Sequence, residues 1–297
     1  MEMLLQLIVS GLANGAIYAL IGLTICVIFK GTDVVNFATG EVIMFGAFIA
    51  FTFAVIWKWP LSLAVIIVCS VAPLLMGYSI ERFVERPLIP AGHLPMVMGT
   101  FALQFTLRGL GRRIWGSDCW SLPSIFGYEP FSISLGGGHQ LVISREHLVM
   151  LLISPVIMVA FFLFFKVSKL GKMMRASQEN IMGASIVGID ITKMFCFSWI
   201  IGCILACWTA ILFAPVSLVY VEMGAKVMMK GFAATILGGF GVVPGAIIGG
   251  FMMGLIEALF AGYVTTSMTD LSSLLVIFLV MNIRPTGILG KKKVEKL

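Results

Sequence analysis

The stretch KVSKLGKMMRASQENIMGASIVGIDITK, residues 166–193, is the longest polar run in the C-terminal half of the chain, and apolar runs flank it on both sides. Its five basic residues are Lys166, Lys169, Lys172, Arg175 and Lys193. Small and apolar residues recur on one helical face of it: Met174, Ile181, Ala184 and Gly188. This pattern predicts a single short amphipathic helix bounded by Gly171 and Gly188.

The residues at the end of this stretch predict how the helix stops and the next one starts. Glycine readily adopts the left-handed conformation that closes helices, so Gly188 is expected to do so here. Asp190 is expected to cap the following helix. A basic amphipathic helix held between two apolar runs predicts a docking surface for a cytoplasmic partner. The alternative is a solvated loop that lies on anionic lipid.

Composition excludes a soluble protein. Of 297 residues, 60% are hydrophobic and only 11% are charged, and the mean hydropathy is +1.06. The net charge of +6 is typical of cytoplasmic loops beside anionic lipid and needs no nucleic acid to explain it. The six cysteines show neither a disulfide framework nor zinc spacing. The first apolar run lacks the basic start and the cleavage site of a signal peptide, so we expect it to be retained.

We therefore predict an all-α polytopic membrane protein with about eight transmembrane helices, forming a single domain over residues 1–297. Seven spans are predicted from the apolar runs: Met3–Phe29, Val42–Ile56, Leu61–Ile80, Leu94–Leu110, His147–Phe165, Thr192–Val219 and Met268–Asn282. The region from Lys226 to Phe260 is expected to enter and leave on one side, either as a re-entrant hairpin or as two short helices.

Basic clusters set the predicted orientation. The linker ERFVERPLIPAGH ending at His93, residues 166–193 and the basic tail 284–297 are placed in the cytoplasm, which leaves the N-terminus outside. Residues 112–146 then form a long external loop, irregular apart from a small β-hairpin. Lys226 and Lys230 fall on the outside in this layout, against the charge rule.

Small residues at four-residue spacing predict close helix contacts. Gly11, Gly15 and Ala19 form one ridge on the first span. Beyond Pro244, two such ridges share one helix, which predicts that this helix is wedged between two neighbours: Gly241, Gly245 and Gly249 on one face, and Gly250, Gly254 and Ala258 on the other.

Two glycine-interrupted segments, Gly31–Glu41 and Gly238–Gly245, predict a substrate path, because irregular backbone at membrane depth is tolerated only against protein or a water-lined cavity. The alternative is a pair of ordinary surface loops. The candidate path residues are Asn36, Phe37, Thr39, Gly40, Gly238, Gly239, Gly241 and Gly245.

Three polar residues have competing interpretations. Asn36 and Thr39 either hydrogen-bond a solute or cap the second helix. The carboxylate of Glu41 is better explained as stabilising the positive, N-terminal end of that helix. Glu257 lines the path or, slightly favoured, lies at the external interface near Tyr263.

No enzyme motif is present. The sequence lacks the Gly-x-x-x-x-Gly-Lys-[Ser/Thr] phosphate loop, HExxH and GxSxG. We therefore expect a non-catalytic chain that binds no cofactor of its own.

Three blocks resemble a known family: NFATGEVIMFGAF (residues 36–48), GKMMRASQENIMGASIVGID (residues 171–190) and ILGGFGVVPGAIIGGFMMGLIE (residues 236–257). They are similar to the signature blocks of LivH-type permeases, the smaller membrane subunits of branched-chain amino-acid ABC importers. The beginning GLANGAIYALIGLTICVIF and the ending RPTGILGKK match as well. The family commonly has a histidine where this chain has Thr39. Relatives carry urea, amides or aromatic acids, so the substrate class stays open.

The resemblance implies a permease of the bacterial inner membrane with a cytoplasmic C-terminus. Its implied partners are a second, LivM-type permease subunit, two cytoplasmic ATPase subunits that bind the ATP, a periplasmic solute-binding protein and the lipid bilayer, but no nucleic acid. The second block would be the coupling loop that contacts the ATPase, with these residues carrying the contact: Lys172, Arg175, Gln178, Glu179, Ala184, Gly188 and Asp190. The alternative is a stand-alone channel or secondary transporter.

Overall fold

The computed structural model describes residues 2–290 except 125–126, 128–129, 137–138 and 267. The basic tail predicted from Lys291 onward lies outside the described residues. Twelve helices are given by their bounds: α1 Glu2–Thr32, α2 Thr39–Phe51, α3 Leu61–Ile80, α4 Arg86–Leu88, α5 His93–Trp115, α6 Arg145–Val167, α7 Lys169–Glu179, α8 Ile181–Ile186, α9 Ile191–Phe213, α10 Met223–Gly238, α11 Val243–Tyr263 and α12 Thr269–Ile283.

Within this part of the chain, six helical stretches are long and apolar enough to cross a membrane: Met3–Thr32, Thr39–Ile56, Leu61–Ala91, Arg145–Val167, Ile191–Phe213 and Val243–Tyr263. The helix Thr269–Ile283 is apolar but shorter. The chain is therefore an all-α, multi-pass membrane protein, in agreement with the composition.

Helix α1 lies at the centre of the bundle and packs along α11. A Cβ added at Gly15 would lie 2.9 Å from Phe251 Cα, and one at Gly250 would lie 2.3 Å from Ala19 Cα. The opposite face of α11 packs on α10, where a Cβ at Gly249 would lie 2.1 Å from Ala234 O. The prediction that this helix is wedged between two neighbours through its small residues is confirmed.

Several predicted boundaries are wrong. The bounds predicted for the third span match α3, but the charged linker after Ile80 is also helical, through a π-helical turn at Glu81–Glu85 and α4. Arg86 Nε lies 2.9 Å from Glu81 Oε1 there. Helix α9 ends at Phe213, six residues before the predicted Val219, since residues 214–217 form turns. Helix α5 continues to Trp115, so the loop predicted to start at Arg112 starts at Gly116.

The β-hairpin predicted in this loop is confirmed. It consists of β1 (Phe131–Gly136) and β2 (His139–Ile143), which pair antiparallel. Trp120 and Val219 form a separate β-bridge that ties the loop to the connection before α10.

The single helix predicted between Gly171 and Gly188 is wrong. Asn180 adopts an extended conformation, and its side-chain oxygen accepts a hydrogen bond from the Gly183 N–H at 2.8 Å. The asparagine thereby caps α8 and separates it from α7, because a side chain that supplies the cap replaces the continuing backbone hydrogen bonds.

Candidate functional site

The first interrupted segment, residues 33–38, turns the chain from α1 into α2. The side chain of Asn36 is buried, and both of its polar ends are occupied locally. Its Oδ1 accepts from the Ala38 N–H at 2.8 Å, and its Nδ2 donates to Thr39 Oγ1 at 3.0 Å. These bonds hold the entry into α2 in the manner of a cap.

Phe37 connects this segment to two other helices. Its ring stacks on Phe101 of α5, with 4.1 Å between centroids, and its centroid lies 5.9 Å from that of Phe232 on α10. Its backbone N–H donates to Thr100 Oγ1 at 3.3 Å. Gly40 completes the junction, because a Cβ there would lie 2.1 Å from Gly224 O at the start of α10.

The second interrupted segment is a tight turn between α10 and α11 at residues 239–242. Gly239 and Gly241 have φ values of +114° and +77°, which favour glycine. Gly238 and Gly245 touch across the turn, since a Cβ at Gly238 would lie 1.8 Å from Gly245 O. A bulky residue at Gly239 or Gly245 would thus disturb packing as well as any path.

Residues after α12 fold back onto this turn. The backbone N–H groups of Ile288 and Leu289 donate to the carbonyls of Leu237 and Gly238, both at 2.9 Å. They satisfy carbonyls at the end of α10 that have no partner inside the helix.

Sequence reasoning missed a polar stripe on α5 that faces the first interrupted segment. It occupies every fourth position: Thr100, Gln104, Arg108 and Arg112. Arg108 Nη2 lies 2.6 Å from Glu41 Oε1, and Arg112 Nη2 lies 2.6 Å from Glu222 Oε1. Glu41 does lie in the first turn of α2, as predicted, but it is also buried in an ion pair. The four-residue spacing of polar residues in an apolar helix was the available signal.

A second buried ion pair explains how the carboxylate of Glu257 is accommodated inside an apolar helix. Its Oε1 lies 2.6 Å from Lys230 Nζ, and Asp270 Oδ1 lies 3.5 Å from the same nitrogen. Lys230 also lies over the ring of Tyr18 on α1. Glu257 is buried between helices, and Lys230 has a partner inside the protein, which removes the conflict with the charge rule for that lysine.

The polar residues of α7 fix this helix to the ends of two spans. Arg175 donates to the carbonyls of Phe165 and Lys166, and its guanidinium lies 5.3 Å from the Phe165 ring centroid. Gln178 Oε1 accepts from Lys30 Nζ at 3.0 Å. The two side chains therefore hold α7 at the C-terminal ends of α1 and α6.

The remaining candidate coupling residues lie in α7, in α8 or directly after α8. Lys172 and Glu179 are exposed, and Ala184 is buried. Gly188 has a φ of +88°, which confirms its left-handed conformation. Asp190 caps α9 as predicted, accepting from the Lys193 N–H at 3.1 Å, and this hydrogen bond lowers the pKa of its carboxyl below the usual value.

Sequence reasoning also missed an exposed apolar surface on α8, which we call the α8 patch. It consists of four residues: Ile181, Met182, Ile186 and Val187. Met182, Ile186 and Val187 are 76%, 81% and 81% exposed. The four-residue spacing of Met182 and Ile186 was the signal. An apolar surface framed by exposed charges is typical of an interaction site.

The sequence model of a family described as branched-chain amino acid transport system / permease component matches residues 7–282. The high-affinity branched-chain amino acid transport system permease protein LivH of Escherichia coli (strain K12) is 29% identical, covering 99% of this chain and 97% of that protein. BraD of Pseudomonas aeruginosa, which bears the same description, is 30% identical, with 99% and 98% covered.

Among solved structures, PsaBC from Streptococcus pneumoniae in complex with Fab is similar with a TM-score of 0.45 and 14% identity, covering 96% of this chain and 91% of that chain. The family match extends over nearly the whole chain. This protein therefore belongs to the family of branched-chain amino acid transport system permease components.

Proposed function

We propose that this chain is the permease subunit of an ABC importer that moves branched-chain amino acids or closely related small solutes across the bacterial inner membrane. The names of the relatives supply the solute class. The observation that carries the coupling to an ATPase is the α8 patch, which is apolar, exposed and flanked in sequence by the exposed charged residues Glu179 and Asp190. The chain itself binds no cofactor, and ATP belongs to the partner subunits.

The proposed topology has about eight membrane elements. Seven of them cross fully, namely α5, α12 and the apolar stretches other than Val243–Tyr263. The eighth is the hairpin of α10 and α11, which does not cross. Helix α10 has 16 residues, about 24 Å at 1.5 Å per residue, which is short of the roughly 30 Å hydrocarbon layer. It pairs with α11 as a hairpin that enters and leaves on the outside. The C-terminus is then cytoplasmic, on the same side as α7 and α8.

The proposed path runs beside the first interrupted segment. Asn36, Phe37, Thr39 and Gly40 lie where α2, α5 and α10 meet, and this supports their place along it. The glycines of the second segment shape the hairpin that flanks the path: Gly238, Gly239, Gly241 and Gly245. A LivM-type second permease subunit would complete the pore, and a periplasmic binding protein would deliver the solute.

The residues of the proposed coupling loop have separate roles. Arg175 and Gln178 hold α7 against α6 and α1, Gly188 and Asp190 set the exit into α9, and Ala184 buries the inner face of α8. The α8 patch then inserts into a groove of the cytoplasmic ATPase, with Lys172 and Glu179 at its rim. Movement of the ATPase is transmitted to α6 and α9, which are directly joined to this unit.

Placing aspartate at both Met182 and Ile186 is expected to abolish transport, because two charges in an apolar contact must be desolvated without partners. With the partner subunits co-expressed, ATPase co-purification should fall at least tenfold, and uptake of radiolabelled leucine should fall to background. The matched control is Leu152→Ser on α6, an apolar residue that is 70% exposed and distant from the loop. It should keep both measurements within twofold. Wild-type co-purification by the double variant would contradict the coupling role.

The stand-alone channel makes the opposite prediction for the isolated chain. Vesicles that contain this chain without partners or ATP are expected to show no leucine flux above empty vesicles, because the α8 patch then has no ATPase to drive it. Flux at the rate of the complete complex would favour the channel and overturn the importer assignment. The control is the complete complex in the same vesicles with ATP inside.

A further inference from the structure

The ion pair between Glu41 of α2 and Arg108 of α5 is placed inside the bundle at a high energetic cost. The carboxylate is fully buried and the guanidinium side chain is 22% exposed. Desolvation of two such charges is repaid only when their remaining hydrogen-bonding atoms also find partners. Ionisable groups within membrane segments are for this reason usually functional.

The remaining hydrogen-bonding capacity of this pair is not used. Within the part of the chain that the structure describes, Glu41 Oε2 and Arg108 Nε are buried atoms without a hydrogen-bond partner. Gln104, one turn before Arg108, interacts with the Glu41 carboxylate through a side-chain hydrogen bond, while Oε2 of that carboxylate stays without a partner. The pair thus keeps one free acceptor atom, Glu41 Oε2, and one free donor group at Arg108 Nε.

Aromatic rings lie near the pair. The Arg108 guanidinium carbon lies 5.9 Å from the Phe105 ring centroid. The stacked rings of Phe37 and Phe101 come from the same two elements, α5 and the entry to α2. A ligand that fits here carries one negative group, one positive group and an apolar part.

We propose that Glu41 and Arg108 bind the two charged ends of a zwitterionic α-amino acid during translocation: Arg108 takes the carboxylate and Glu41 takes the ammonium group. This inference rests on the importer function proposed above. In the empty protein the two side chains neutralise each other. The ligand replaces each partner by a group of the same charge, so no charge is left unpaired at any stage.

Partner exchange of this kind selects among small solutes. An organic acid would engage Arg108 and leave the buried Glu41 carboxylate uncompensated. A neutral amide carries no charge to replace either partner, so it could separate the ion pair only at a high desolvation cost. The site therefore favours amino acids over the amides and organic acids that the sequence left as alternatives. The apolar side chain of a branched amino acid would lie against Phe105.

The test uses the complete transporter in proteoliposomes, with saturating binding protein and radiolabelled leucine. The double variant Glu41→Gln with Arg108→Gln leaves no unpaired charge, and its two amides can hydrogen-bond. The complex should therefore assemble with a melting temperature close to that of the wild type. Uptake is nevertheless expected to fall at least tenfold, because neither charged end of leucine finds its partner. Each single variant should lose both stability and uptake.

A matched control lies one turn away on α5. Arg112 and Glu222 form an ion pair with the same 2.6 Å distance but with side chains that are about half exposed. The double variant Arg112→Gln with Glu222→Gln should keep uptake within twofold. Uptake within twofold of wild type in the Glu41/Arg108 double variant would show that this pair is only structural and would overturn the inference. Absence of leucine uptake in the wild type would instead reject the proposed function.

Should the glutamine pair fail to assemble, the charge-exchanged variant Glu41→Arg with Arg108→Glu decides the question. It keeps an ion pair between α2 and α5 but reverses the positions of the two charges. Assembly with a tenfold loss of leucine uptake supports ligand binding at this pair. Assembly with wild-type uptake would mean that transport needs only an ion pair at these positions, in either orientation, and would overturn the inference.

Discussion

Replacing Gly254 by leucine is expected to separate α1 from α11 and to remove folded protein from the membrane. A Cβ at Gly254 would lie 2.3 Å from both Gly11 O and Gly15 Cα. These atoms belong to the backbone, so no change of side-chain rotamer relieves the clash and the helices must move apart. Overpacking costs about 1–3 kcal/mol where side chains yield, and more where they cannot, against a total stability of roughly 5–15 kcal/mol.

The measurement is the yield of monodisperse protein after detergent extraction, by fluorescence-detected gel filtration. Gly254→Leu should lower this yield at least tenfold. The control is Gly109→Leu, because Gly109 is also helical and has no atom within 4 Å of an added Cβ. Its yield should stay within twofold of wild type. A wild-type elution profile for Gly254→Leu would show that the two helices do not pack as the structure has them.

The second large effect is expected from Glu257→Ala, which leaves Lys230 charged and enclosed between helices. The side chains of Lys230 and Glu257 are only 16% and 11% exposed, and breaking such a pair costs about 3–5 kcal/mol. Asp270 is a weaker substitute, at 3.5 Å and half exposed. The melting temperature of the purified protein should therefore fall by more than that of any single surface variant.

The double variant Lys230→Met with Glu257→Leu is the control for this prediction. It removes both charges and keeps apolar bulk, so most of the lost stability should return. Equal melting temperatures for the single and double variants would mean that the loss comes from packing and not from the unpaired lysine. An unchanged melting temperature for Glu257→Ala would contradict the buried ion pair itself.

The sequence predicted those features that depend on neighbours along the chain. The bounds of α3, Leu61–Ile80, follow from an uninterrupted apolar run. The cap at Asp190 and the left-handed Gly188 follow from local backbone chemistry. The contacts of Gly250 and Gly254 follow from a four-residue repeat of small residues. Each of these signals lies within a few turns of one helix.

The features that were missed depend on distant partners or on a choice between two helical faces. Glu41 and Arg108 are 67 residues apart, and nothing near Glu41 indicates a buried cation. In residues 171–190, Met174 and Ala184 are buried while Met182 and Ile186 are exposed. Both sets have helical spacing, so periodicity alone does not decide which one faces the bundle. The break at Asn180 shifts the register between them.

The packing of α1 along α11 has a consequence for biosynthesis. Helix α1 leaves the ribosome well before α11, because the partner for its ridge of small residues begins only at Val243, more than 200 residues after Thr32. At roughly 5–20 residues per second, this delay is on the order of 10–40 s. During this time α1 sits in the insertion machinery or in lipid with its future contact surface uncovered. Assembly of the bundle therefore finishes late, and a stalled chain that ends before α11 would present this surface to quality control.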